Sequence, residues 1–146
     1  MINKQNIRIV VCGPPMSGKS TWLSSLCSYE TKPLHYVPSS QVRVHYTTKK
    51  VIPQGNSNTN NYQPKDIRFI FYECAGRLFD PCLCRSYLDD ADMLFILGKN
   101  DEIIDTYINQ YIPPSYHDKL KRLYSTNIDE MTTQLYQALS LSSPNN

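Results

Sequence analysis

Apolar and polar residues along the chain fall into blocks of two periods. Ile7-Arg8-Ile9-Val10-Val11-Cys12 is β-branched and apolar up to Gly13, which predicts a buried strand. Gly18 to Tyr29 reads as a helix with Trp22, Leu23, Leu26 and Cys27 on its inner side. Gln41 to Thr47 alternates, with Val42, Val44 and Tyr46 on one face, and Ile67 to Tyr72 is a second apolar strand. The Gly-, Asn-, Ser- and Pro-rich stretch between them, Ile52 to Lys65, cannot fill a core and predicts a flexible loop joining two antiparallel strands. Met93 to Leu97 predicts a short buried strand, and Arg122 to Ser125 is a candidate last strand beside it. Ile103, Ile104, Tyr107, Ile108, Tyr111 and Ile112 recur at helical spacing until Pro113-Pro114 stops them. Ile128, Met131, Leu135, Ala138 and Leu139 mark a final helix that Asn127 can cap, with Glu130 three residues on. This order predicts one α/β domain over 1–142, with loop 52–65 as an insertion and 143–146 as a disordered tail. The sheet is expected to be mostly parallel, with helices on both faces.

Composition narrows the partners. The chain has 146 residues, enough for one core, and 15 basic against 13 acidic residues leave a net charge of +2. That near balance argues against nucleic acid or an anionic membrane as the main partner. No apolar run approaches a membrane span, and the residues before Gly13 are too few and too polar for a secretory signal. Met1-Ile2 excludes N-myristoylation, and the tail has no cysteine to prenylate, so no direct lipid anchor is expected. Five cysteines form no paired framework, which suits a reducing cytoplasm. Cys82-Leu83-Cys84 lacks a second pair at ligand spacing, and His35, His45 and His117 are scattered, so buried or idle thiols are favoured over a zinc site.

The chemistry concentrates in Gly13-Pro14-Pro15-Met16-Ser17-Gly18-Lys19-Ser20-Thr21. It has the spacing of a phosphate-binding loop, after a predicted strand and at the start of a predicted helix. The glycines let the backbone turn close to phosphate, and the amides from Met16 to Ser20 together with the helix N-terminus offer positive charge. Lys19 supplies a cation to the β and γ phosphates, and Ser20 a hydroxyl to Mg²⁺. The loop alone does not separate a GTPase from a kinase or an ATPase.

Two more stretches carry a resemblance to the Ras-like small GTPases. Tyr36-Val37-Pro38-Ser39, twenty positions after Lys19, resembles that family's first switch, and Phe71-Tyr72-Glu73-Cys74-Ala75-Gly76-Arg77 resembles the end of its third strand. Arg85 to Asp92, with Tyr87 eleven positions after Gly76, and Tyr124 to Glu130 extend the likeness to most of the chain. The resemblance implies a three-layer P-loop NTPase fold binding GTP or GDP with Mg²⁺, and protein partners meeting the switch regions. It puts Ser39 on the metal and the γ-phosphate, Gly76 on the γ-phosphate, and Glu73 in place of an aspartate that holds Mg²⁺ through water. Ser125, Thr126 and Asn127 would brush the base. Arg77 stands where the family has the glutamine that orients the attacking water, and an arginine cannot accept a hydrogen bond from it. Of the catalytic positions Lys19, Ser39 and Arg77, the last predicts slow hydrolysis.

One part of the family pattern is missing. Between Pro114 and Ser125 there is no room for the strand and helix that carry the guanine-reading Asn-Lys-x-Asp. The fold is therefore expected to lack one strand and one helix. Gly98-Lys99-Asn100-Asp101 is either a damaged copy of that motif, in which Asp101 reads the base, or a strand end followed by a helix cap; the spacing from Tyr87 favours the cap. Three functions follow in order: a divergent guanine-nucleotide switch with slow hydrolysis, a pseudo-GTPase binding module, and a P-loop kinase of small molecules. The kinase ranks last because Arg77 and Arg85 are the only arginines between Arg68 and Arg122 to furnish a lid.

Overall fold

A computed structural model describes residues 6–14, 17–27, 35–37, 42–53, 63–74 and 81–143, with the side chains of 35–37 and 81–84 outside that description. The strands are β1 (Asn6–Cys12), β2 (His35–Val37), β3 (Val42–Pro53), β4 (Lys65–Cys74), β5 (Met93–Gly98), β6 (Leu120–Tyr124) and β7 (Leu141–Ser142). The helices are α1 (Lys19–Leu26), α2 (Pro81–Asp90), α3 (Asp101–Tyr111) and α4 (Ile128–Ala138), with a 3₁₀ turn over Pro114–Lys119.

The strands lie in the order β2-β3-β4-β1-β5-β6, and β7 pairs with β3. The expected mostly parallel three-layer P-loop NTPase fold is corrected here to a mixed sheet. β1 pairs in parallel with β4 and β5, and β5 with β6, but β3 is antiparallel to β2, β4 and β7. The physical reason is the length of the hairpin. β3 and β4 are bonded from Val42↔Cys74 to Val51↔Lys65, well beyond the strands that apolar alternation marks. Successive strands joined by a hairpin must run antiparallel, because a parallel return needs a crossover. Residues 52, 53 and 65 of the expected loop belong to these strands, Ile52 and Pro53 pairing with Ser142 and Leu141 of β7.

Alternate residues of β1 enter different cores, as the strand period requires. Ile7, Ile9 and Val11 pack with Trp22 and Leu23 of α1, Phe69 and Phe71 of β4, and Met131 and Leu135 of α4. Val10 and Cys12 pack with Leu88 of α2, Leu94 and Ile96 of β5, and Ile104 and Ile108 of α3. Trp22 is fully buried, meets the Phe71 ring edge-on at 6.1 Å, and donates from Nε1 to Thr132 Oγ1 at 3.2 Å, fastening α1 to α4. On β3 the buried face differs from the one the alternation suggests. His45, Thr47 and Val51 are buried, whereas Val44 and Tyr46 are half-exposed, Tyr46 lying under the Arg68 guanidinium.

Candidate phosphate and metal site

The loop after β1 is shaped by two glycines with different constraints. Gly13 has φ +149°, and a Cβ there would sit 2.3 Å from the Leu97 carbonyl oxygen of β5. Only glycine lets the chain leave β1 that close to the neighbouring backbone. Gly18 has φ +91° with open space around it, so the left-handed backbone rather than crowding selects glycine at this N-cap of α1.

Lys19, in the first turn of α1, folds its side chain back across the loop. Its Nζ donates to Gly13 O at 3.0 Å, Pro14 O at 3.1 Å and Ser17 Oγ at 3.3 Å. Burial pushes the Lys19 ammonium below its ordinary pKa, against the pull of Cys12, Glu73 and Cys74. Ser17, Gly18, Lys19, Ser20 and Thr21 line an open cleft of about 180 Å³. That is below the roughly 300–1,000 Å³ of pockets that enclose whole ligands, so the cleft suits phosphates, with a base lying outside it.

Ser20 is next along the helix, and its hydroxyl donates to Glu73 Oε2 at the end of β4. The other carboxylate oxygen, Oε1, lies 2.8 Å from His45 Nε2. Burial alone would raise the Glu73 pKa. The hydrogen bonds from His45 and Ser20 and the charges of His45 and Arg43 outweigh it, so the carboxyl sits below its ordinary value. A hydroxyl and an ionised carboxylate beside a phosphate cleft are the hard oxygen donors that Mg²⁺ prefers. The residues present therefore fit magnesium, with Ser20 and Glu73 as the chain's contribution. Among the described residues no cluster of three His, Cys, Asp or Glu side chains could hold a metal unaided, so phosphate oxygens and water would supply the remaining positions.

The expected site residues divide into three groups. Gly13, Ser17, Gly18, Lys19, Ser20, Thr21 and Glu73 meet at the ends of β1 and β4. Met16, Ser39, Gly76 and Arg77 lie outside the described residues. Ser125, Thr126 and Asn127 follow β6 and reach the loop only through Ser125, whose hydroxyl donates to Ser17 O at 2.7 Å while its amide donates to Gly98 O at 2.7 Å. Asn127 accepts from the Glu130 amide at 2.9 Å as the cap of α4. Asn100 likewise caps α3, accepting from the Ile103 amide at 3.0 Å, as the cap reading expects. Asp101 accepts from Tyr124 Oη at 2.6 Å and from Arg122 at 3.0 Å.

His45 is the site residue that sequence reasoning passed over. The signal lies in the hairpin register: Arg43 pairs with Glu73 and His45 with Phe71, so His45 and Glu73 are diagonal neighbours on one face. Reading that from sequence needs the register, which a long intervening loop does not fix.

No protein-family model matches the sequence, and no curated protein matches it. The Ras-like likeness therefore rests on the motifs alone.

Proposed function

We propose that the chain binds a nucleoside triphosphate with Mg²⁺ at the Gly13–Thr21 loop and hydrolyses it slowly, as a divergent guanine-nucleotide switch. The observation that carries the phosphate and metal part is the convergence of Lys19, Ser20 and Glu73 beside one cleft. In the bound state the Lys19 ammonium and the amides opening α1 face phosphate oxygens. Its three protons are all engaged by the loop, so phosphate competes best with the longest contact, that to Ser17 Oγ at 3.3 Å. Mg²⁺ neutralises charge between the phosphates; the chain's part is to direct Ser20 Oγ and the Glu73 carboxylate toward it. Slow turnover and the preference for guanine rest on the sequence likeness, through Arg77 and the switch-like segments at Ser39 and Gly76.

A second reading is a binding module for which nucleotide is a fixed ligand. It is favoured by the engagement of Ser125 with Ser17, of Asn127 with the α4 amides and of Asp101 with Arg122 and Tyr124, which commits the side chains expected to read a base. Titration of labelled GTP, GDP and ATP with Mg²⁺ or EDTA, followed by single-turnover hydrolysis, separates the two. GTP preference with measurable hydrolysis supports the switch. Equal affinity for GTP and ATP without turnover supports the module. Failure of all three nucleotides to bind removes both.

A further inference from the structure

We propose that His45 is a positioning residue for the metal site, holding the Glu73 carboxylate so that its second oxygen is presented to Ser20 and to Mg²⁺. The inference rests on the phosphate and magnesium reading above. His45 and Glu73 are only 4% and 8% exposed, and water has little access to reorient either. Glutamate has three rotatable bonds before its carboxylate, so an unanchored Glu73 would sample several directions from the end of β4. His45 Nε2 at 2.8 Å from Oε1 fixes one oxygen, leaving Oε2 aimed at the Ser20 hydroxyl. To donate, the ring must carry its proton on Nε2. The anchor comes from another strand than the ligand it orients, and diagonal packing on the hairpin keeps the two in register.

The anchor also links the metal to the sheet. When Ser20 turns its oxygen to a metal, its hydroxyl no longer donates to Glu73, and His45 is then the described side chain that still holds the carboxylate in place. Groups that orient a metal ligand from behind usually matter about 10–100-fold in metal affinity. The expected consequence is selective: losing His45 weakens the coupling between Mg²⁺ and nucleotide and leaves metal-free phosphate binding alone.

The test uses the full chain as wild type, His45→Leu, His45→Gln and Glu73→Gln. Affinity for labelled GTP is measured with excess Mg²⁺ and with EDTA, and the ratio of the two is compared. The ratio falls about 10-fold or more in His45→Leu while the EDTA affinity stays at the wild-type value. His45→Gln, whose amide can still donate to Oε1, recovers most of the ratio. In the Glu73→Gln background, adding His45→Gln has no further effect. A wild-type ratio in folded His45→Leu overturns the proposal, as does an equal loss with Mg²⁺ and with EDTA, which marks a purely structural pair. Should His45→Leu fail to fold, the Gln variants decide: a ratio in His45→Gln as low as in Glu73→Gln overturns it. A wild type whose affinity does not depend on Mg²⁺ contradicts the proposed function instead, before any variant is considered.

Discussion

Gly13, Gly18 and Lys19 each make a separable prediction. At Gly13 the obstacle is a backbone carbonyl 2.3 Å from the added Cβ, which cannot rotate away. Gly13→Ala is expected to cost about 2–4 kcal/mol, combining overpacking with a disallowed backbone angle. At Gly18 only the angle objects, and Gly18→Ala should cost roughly 1–2 kcal/mol. Urea midpoints at unchanged slope measure both. Lys19→Met should act oppositely on binding and stability. Loss of the charged donor is expected to weaken nucleotide binding by about 100-fold, near 2.7 kcal/mol. Its lowered pKa shows that the folded site disfavours the ammonium, so thermal stability should not fall. A melting temperature well below wild type would contradict that.

Among the elements, periodicity reads the long regular ones and misses what depends on a distant partner. β1, β4, β5, α3 and α4 are visible as apolar runs or 3.6-residue stripes, and the caps Asn100 and Asn127 are legible because a cap needs only its own next turn. β2 and β7, of three and two residues, carry no period of their own and exist because β3 offers them a partner. The buried face of β3 was misread for a related reason. Val44 and Tyr46 look like core residues, but His45 and Thr47 occupy the buried side, and the buried histidine is tolerated because Glu73 meets it. The phosphate loop was fully legible, being local, whereas the His45–Glu73 pair depended on strand register. Asn127→Ala should cost about 1 kcal/mol in a melt, since it strips the α4 amides of an acceptor. Asp101 in the first turn of α3 makes a pH prediction. The Tyr124 hydroxyl, then Arg122, lowers its pKa. Its contribution is therefore present above the ordinary carboxylate range and lost as pH falls through the lowered folded value. Asp101→Asn should melt below wild type at neutral pH, with the gap closing in strong acid.

The whole molecule places its candidate chemistry at one edge of the sheet. β4, β1, β5 and β6 run parallel, so Glu73, the Gly13 loop, Gly98 and Ser125 all lie at carboxyl ends of neighbouring strands. Ligands of open sheets with parallel strands bind outside those ends. The antiparallel hairpin contributes His45 from the other side of Glu73, which a mostly parallel sheet would not have done. Among the described residues no helix is long and apolar enough to cross a membrane. Ligand binding to this edge should register as global stability. A nucleotide at 100 times its dissociation constant adds about 2.7 kcal/mol. For a chain of this size that raises the melting temperature by roughly 5–10 °C. The rise should be much smaller in EDTA.

The most direct test of the central claim is a calorimetric titration of GTP and of ATP into wild type and Lys19→Met, each with Mg²⁺ and with EDTA. The account predicts saturable binding of at least one nucleotide at one site per chain, strengthened by Mg²⁺ and nearly abolished in Lys19→Met. Absence of saturable binding by either nucleotide, or equal binding by wild type and Lys19→Met, would contradict it.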